Sequence, residues 1–149
     1  MLYLASDHAG FYLKESVKTF LKESDIPFED CGPFFYQETD DYPDFIVPAA
    51  KKVSESKENC GIVIGGSGQG EAIAANKVKG IRCALIQHYS EQAVKLTRDH
   101  NDANMLSLGA KFLTTEEAKK AVLLWMQTPF SGDERHRRRL AKMHFIERK

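Results

Sequence analysis

Short apolar runs alternate along the chain with longer segments whose apolar residues recur at helical spacing. Residues 2–5 are typical of a strand, and the segment 10–24 places Leu13, Val17 and Leu21 on one stripe, which predicts a helix. The same alternation continues towards the C-terminus. It predicts strands at residues 2–5, 26–31, 60–64, 82–86 and 104–108, and helices at residues 10–24, 43–53, 71–78, 90–98, 115–126 and from about residue 132.

These elements follow the order strand–helix five times, with one more helix at the end. The strands at 60–64, 82–86 and 104–108 lack polar alternation, as expected when helices cover both faces of a sheet. We therefore expect one domain over residues 1–149 with an α/β fold, a Rossmann-like three-layer α/β/α sandwich with a five-stranded parallel sheet and an extra C-terminal helix. Ligands of such sheets bind beyond the carboxyl ends of the strands.

Composition and charge narrow the choice of partners. The 21 basic and 21 acidic side chains cancel, so no overall field attracts nucleic acid or a membrane. No apolar run approaches the roughly 20 residues that a bilayer requires, and no secretory leader precedes the first strand, so a cytoplasmic protein is expected. The three cysteines are too scattered for a disulfide framework or a zinc site.

Two of the predicted strands end in segments that suit an anionic ligand. Asp7 and His8 follow the first strand, although Asp7 could instead cap the next helix. Residues 65–70 contain four glycines, whose exposed N–H groups at a helix start could cradle an anion, or could form only a tight turn. Ser67 in this loop could donate its hydroxyl to a developing oxyanion. Glu71 follows as a candidate base, or as an acidic residue that complements the helix dipole.

Polar residues also precede the last strand and occupy the terminal helix. His100 could transfer protons, as histidine rings do in many active sites, or could cap a helix C-terminus. Arg135 and Arg139 are four residues apart, so they share a helix face that suits a phosphate dianion. A nucleic-acid or nuclear-localisation patch is the competing interpretation, against which the neutral net charge weighs, and a solvated basic face is the third.

These segments resemble the ribose-5-phosphate isomerase B family, which also includes galactose-6-phosphate isomerase subunits. The resemblance covers nearly the whole chain. The matching segments are residues 6–10, 41–44, 66–68, 74–82 and 100–104, with Arg135, His136 and Arg139. This resemblance implies an aldose–ketose isomerase of the pentose phosphate pathway. Such an enzyme interconverts ribose 5-phosphate and ribulose 5-phosphate through an enediolate. A hexose 6-phosphate isomerase and a non-catalytic sugar-phosphate or nucleotide sensor stay open as alternatives.

Two positions depart from the pattern of many relatives. Many relatives carry a cysteine base where this chain has Gly65. This chain instead resembles the subgroup in which a glutamate, here Glu71, is the base. Lys111 stands where many relatives carry an arginine. If that arginine binds phosphate, Lys111 would do so as a point charge or the contact would be lost.

The resemblance implies roles for a set of residues that we expect to meet in one pocket around residues 7, 67, 71 and 100. Ring opening is assigned to His100, with Asp7 as a competitor. The expected catalytic residues are Glu71, His100, Ser67 and Asp7, and the expected substrate- and phosphate-binding residues are His8, Tyr42, Gly66, Gly68, Gly70, Asn101, Arg135, His136 and Arg139. No metal or cofactor is expected. Members of the family form homodimers, or dimers of dimers, with shared active sites, to which Trp125, Phe130, Met143 and Phe145 could contribute.

Overall fold

Five strands and six helices alternate as the sequence predicts, in a computed structural model that describes residues 1–147. The strands are β1 (Leu2–Ser6), β2 (Phe28–Asp30), β3 (Cys60–Gly65), β4 (Cys83–Ile86) and β5 (Met105–Gly109). The helices are α1 (Phe11–Glu23), α2 (Pro43–Ser54), α3 (Gln69–Asn76), α4 (Glu91–Asp99), α5 (Thr115–Gln127) and α6 (Glu134–Ile146). None of the helices in these residues is long and apolar enough to cross a membrane.

All strands pair in parallel, in the order β2-β1-β3-β5-β4. Alternate side chains of each strand point to opposite faces, so Ile62 and Ile64 of β3 pack under one layer of helices and Val63 under the other. Helices α1, α4 and α5 cover the first face, and α2 and α3 cover the second. The expected three-layer sandwich is confirmed.

Local signals place several helix ends. Pro43 begins α2, where its missing N–H costs no hydrogen bond. Thr114 and Glu117 form a reciprocal capping box at the start of α5. The second strand is shorter than predicted, Phe28–Asp30 instead of residues 26–31, because it lies at the sheet edge and Pro27 has no N–H to donate.

Candidate active site

The first two polar segments meet where β1 and β3 lie side by side at the centre of the sheet. The chain leaves β1 towards β2 and returns to add β3 on the other side, so a crevice opens between their carboxyl ends. The backbone N–H of Asp7 donates to the carbonyl of Ile64 at 3.3 Å. A Cβ at Gly10 would lie 2.1 Å from that carbonyl oxygen, so only glycine permits this close approach.

Glu71 lies in the first turn of α3 with its side chain turned back over the end of β3. The residue is 3% exposed. A Cβ built on Gly65 would lie 2.0 Å from the carboxyl carbon of Glu71 and about as close to both its oxygens. The carboxylate of Glu71 therefore occupies the volume that any side chain at position 65 would need. The glycine is a condition for this placement of the glutamate.

The surroundings of Glu71 favour its protonated form. Burial raises the pKa of the Glu71 carboxyl group, and the nearby Asp7 adds to this effect. The residue's own backbone N–H and the His8 ring act in the opposite direction, but the net pKa is raised. Glu71 is thus more than a surface charge that complements the α3 dipole.

The glycine-rich loop packs closely against its neighbours. Gly68 has a φ of +76° and precedes α3, and its carbonyl accepts a hydrogen bond of 2.7 Å from the buried Ser107 hydroxyl. The Oγ of Ser67 accepts the N–H of Gln69 at 3.2 Å, which leaves the hydroxyl hydrogen of Ser67 free to donate elsewhere. These contacts fix the conformation of the loop at the start of α3.

Two further side chains flank this loop. A Cβ at Gly70 would lie 2.8 Å from the ring of Tyr42, so the partly exposed tyrosine lies against the loop. The Lys111 side chain runs beside Gly66, with its Cε 3.2 Å from the position of a Cβ there. Lys111 thus places a cationic side chain beside the glycine-rich loop.

His8 is held by Asp40, a residue that the sequence did not single out. One carboxylate oxygen of Asp40 lies 2.7 Å from Nδ1 of His8 and 3.0 Å from its backbone nitrogen. Asp7, His8 and Asp40 each offer an atom of a metal-ligating type, all within 4.8 Å of one another. Hydrogen bonds to His8 and to the N–H of Gly10 account for this grouping.

The other predicted site residues lie at the opposite edge of the sheet. The rings of His100 and His136 are 4.1 Å apart between centroids, and Nδ1 of the buried His136 lies 3.0 Å from the Ser131 hydroxyl. His100 is the C-cap residue of α4, which is the position that the alternative of helix capping required. This amino-edge group consists of His100, Asn101, Arg135, His136 and Arg139.

The expected site residues do not all meet within one chain. Helix α4 runs back towards the amino ends of the strands, and Asn104 just after it accepts the N–H of Gly61 near the start of β3. Glu71 lies over Gly65, four residues further along the same strand, which corresponds to roughly 13 Å. Asp7, His8, Tyr42, Glu71 and the loop thus form a carboxyl-edge group, separate from His100 and the arginines.

The apolar residues expected at a subunit contact differ in how far they are exposed. Trp125 is 2% exposed and belongs to the core, where its ring also packs near the Arg98 guanidinium, so the expectation that it contributes to an interface is wrong. Met143, Phe145 and Ile146 of α6 are all more than half exposed. Met143 and Ile146 line a groove of about 540 Å³ between α6 and the start of β4.

Known proteins resemble this chain over almost its full length. The family model described as Ribose/Galactose Isomerase matches residues 2–143. Ribose-5-phosphate isomerase B of Mycolicibacterium paratuberculosis is 44% identical over 147 residues, which cover 99% of this chain and 91% of that protein.

Solved structures share the fold as well. The crystal structure of ribose-5-phosphate isomerase B from Mycoplasma genitalium with bound ribulose-5-phosphate superimposes with a TM-score of 0.93 at 39% identity, over 99% of this chain and 96% of that one. The ribose-5-phosphate isomerase B structure from Clostridium thermocellum gives a TM-score of 0.92 at 38% identity, over 99% and 97%.

Proposed function

Because the chain belongs to the ribose/galactose isomerase family, we propose that Glu71 is the base with which it isomerises its sugar phosphate. The enzyme is an aldose–ketose isomerase that interconverts ribose 5-phosphate and ribulose 5-phosphate. The observation that carries the assignment of the base is the buried carboxylate of Glu71, which lies over Gly65 at the carboxyl end of β3.

The reaction moves one proton between neighbouring carbons of the opened sugar. Glu71 takes the proton from the carbon beside the aldehyde, and the electron pair of that C–H bond becomes part of an enediolate. The hydroxyl proton on the neighbouring oxygen passes to the former aldehyde oxygen, and the protonated Glu71 delivers its proton to the former aldehyde carbon, which completes the ketose. Electrons and protons balance within the sugar, so this route needs no redox cofactor.

The raised pKa of Glu71 supports this role. A general base works best when its pKa approaches the working pH, because it is then ionised and still holds a proton strongly. Burial and Asp7 shift the pKa of Glu71 in that direction. An exposed carboxylate at the same helix start would be a weaker base, since the helix terminus alone lowers a carboxyl pKa.

The loop before Glu71 supplies donors for the negative charge that develops on oxygen. The hydroxyl hydrogen of Ser67 and the N–H groups of Gly66, Gly68 and Gly70 lie at the start of α3, where the helix dipole also favours an anion. Donors that are already in place cost no reorganisation during the reaction, and they are often the largest catalytic contribution.

We assign the amino-edge group to the active site of a second copy in a homodimer. His100 would then open the sugar ring, with Asp7 as the competing residue, and Asn101 and Tyr42 would hold sugar hydroxyls. His8 of one subunit would bind the phosphate together with Arg135, His136 and Arg139 of the other. The separation of the two groups in one chain and the exposed apolar residues of α6 support this assembly. A dimer of dimers and a cytoplasmic location belong to the same proposal.

An assay of several sugar phosphates tests the function. Purified protein is expected to convert ribose 5-phosphate to ribulose 5-phosphate with a higher kcat/KM than for galactose 6-phosphate or allose 6-phosphate. A preference for a six-carbon substrate would show that the chain is a hexose 6-phosphate isomerase instead. Binding without turnover of any of the three would favour the sensor alternative instead.

A further inference from the structure

The contact between Asp40 and His8 joins two parts of the chain that are 32 residues apart. Asp40 lies in the loop before α2, and its side chain is 5% exposed. Its Oδ1 atom accepts the backbone N–H of His8 at 3.0 Å and lies 2.7 Å from Nδ1 of the same residue. Both the backbone and the ring of His8 are thus fixed by one carboxylate oxygen.

This contact determines which hydrogen bonds the ring can make. An ionised carboxylate only accepts, so Nδ1 of His8 must carry a hydrogen. The oxygens of a phosphate dianion also only accept, so a ring that binds phosphate through Nε2 must carry a second hydrogen there. His8 meets both conditions only as an imidazolium ion. Within residues 1–147, Nε2 has no protein hydrogen-bond partner, and the ring is one-third exposed, so this nitrogen is available to a ligand.

The groups that face His8 come from several elements, and most are acidic. Oδ2 of Asp7 lies 3.9 Å from Nδ1 of His8, and Glu38 acts from the same loop as Asp40. Glu71 of α3 also interacts electrostatically with the ring, and Tyr36 lies edge-on to it, with 6.4 Å between the ring centroids. The hydrogen bond to Asp40 makes the largest contribution and raises the pKa of His8, while partial burial opposes it.

We propose that Asp40 is a positioning residue, which holds His8 as a double hydrogen-bond donor that presents Nε2–H to the phosphate of the substrate. This inference rests on the proposed function, because it takes the sugar phosphate as the ligand of His8. Asp40 itself does not contact the substrate. The negative charge of the Asp40 carboxylate stabilises the positive charge of the His8 ring. A cation is therefore available to the phosphate even though Asp7 and Glu71 are nearby.

The variant Asp40→Asn removes the negative charge of the side chain and keeps its shape. An asparagine oxygen can still accept from the backbone and from Nδ1 of His8, but it no longer stabilises a positive ring. We expect the pKa of His8 to fall in this variant, because the hydrogen bond to the Asp40 carboxylate makes the largest contribution that raises it. The control Glu38→Gln removes the same charge from the same loop without breaking this hydrogen bond, and we expect less than about half that change.

The measurement combines an NMR titration of the His8 ring with KM for ribose 5-phosphate. The ratio of KM in Asp40→Asn to KM in the wild type is expected to stay near one at about pH 6 and to rise roughly tenfold at about pH 8. Because the ratio is taken at each pH, the titration of the substrate's own phosphate cancels. A ratio raised equally at both pH values would show that Asp40 only shapes the loop, and an unchanged His8 titration would also overturn the proposal.

Inorganic phosphate keeps this test independent of turnover. It is expected to shift the His8 ring signals of the wild type, and to do so more weakly in Asp40→Asn at about pH 8. Failure of the wild type to isomerise ribose 5-phosphate would overturn the proposed function, and the titration with phosphate would still decide the role of Asp40. Absence of any phosphate effect on the wild-type His8 ring would refute the inference about Asp40.

Discussion

At the level of single residues, the candidate site depends on a volume that two positions cannot both fill. The carboxylate of Glu71 occupies the space directly above Gly65. The departure from the expected pattern at Gly65 therefore has a spatial explanation, because a base at position 65 and a base at position 71 would point into the same volume. The absence of a side chain at Gly65 is as much a part of the site as the glutamate.

The substitution Gly65→Ala should strongly reduce activity. Its Cβ would lie 2.0 Å from the carboxyl carbon of Glu71 and would displace the base, so kcat is expected to fall by about a hundredfold or more. Gly61→Ala is the control in the same strand, since its Cβ would meet the buried apolar side chains of Met105 and Val53 at 2.9 Å and not the carboxylate of Glu71. It should lower the Tm and leave kcat near the wild-type value. Equal kcat in the two variants would contradict the account.

The buried carboxylate of Glu71 should also reduce stability as the pH rises. Its pKa is raised in the folded chain above the value of about 4.3 usual for an unfolded one. The folded state therefore holds the proton to a higher pH, and stability is lost between the two pKa values as the pH increases. Glu71→Gln is neutral throughout, so its Tm should exceed that of the wild type at about pH 7.5. The two should converge near pH 4, and a variant less stable than the wild type at pH 7.5 would exclude this effect.

The residues that sequence reasoning missed are those whose partners are distant in the chain. Glu71 and the glycine loop are contiguous, so spacing and chemistry identified them together. Asp40 lies in a loop rich in polar and aromatic residues, and nothing local distinguishes it from its neighbours. Its importance depends on contact with His8, which only the assembled fold provides.

At the level of secondary-structure elements, a clear apolar periodicity was sufficient to predict the elements that pack into the core. The prediction of α1 differs from Phe11–Glu23 by one residue at each end, and β3 is longer by one residue than predicted. Helix α3 starts two residues before its predicted start, because Gly68 supplies the backbone turn without a side-chain cap. The edge strand β2 was the least accurate, since few apolar residues mark it.

Helix α1 also anchors the loop that carries Asp40 and Tyr42. The side chain of Lys14 is fully buried, and its Nζ donates to Asp30 at 2.6 Å and to the carbonyl of Pro33 at 2.7 Å. Lys18 contacts the other oxygen of Asp30 at 2.6 Å but remains partly exposed. This buried contact connects α1 to the loop entering the site.

The variant Lys14→Met should lose about 3 kcal/mol of stability, because it removes one partner of a buried ion pair. It should also raise KM, since the loop that holds Asp40 and Tyr42 loses its attachment at Pro33. Denaturant unfolding and steady-state kinetics measure the two effects. Lys18→Met removes a partner of the same Asp30 that remains partly exposed, and it is expected to cost less, about 1 kcal/mol. Equal losses in both variants would show that burial of Lys14 is unimportant.

At the level of the whole molecule, strand direction separates residues that the motif pattern grouped together. The order of elements predicted that ligands gather at the carboxyl edge. It also places the end of α4 at the amino edge, and the contact of Asn104 with Gly61 confirms that location. The sequence alone could not show which of the two edges each member of the site would occupy in an assembly.

Mixing two inactive variants should restore activity if subunits share their sites. Glu71→Gln and His100→Ala each damage one half of every site in a homodimer. Random reassembly of equal amounts should return roughly a quarter of the wild-type activity, because half of the dimers are mixed and each mixed dimer has one intact site. Light scattering confirms the oligomeric state. A fully active monomer, or no recovery on mixing despite exchange of subunits, would contradict shared sites.

The most direct test of Glu71 as the base is steady-state kinetics of Glu71→Gln with ribose 5-phosphate. Glutamine keeps the size of the side chain and cannot accept the proton, so kcat should fall by at least about a hundredfold. The KM should stay within about threefold, because the phosphate contacts lie elsewhere. A variant that retains kcat within about tenfold of the wild type would contradict the assignment of the base.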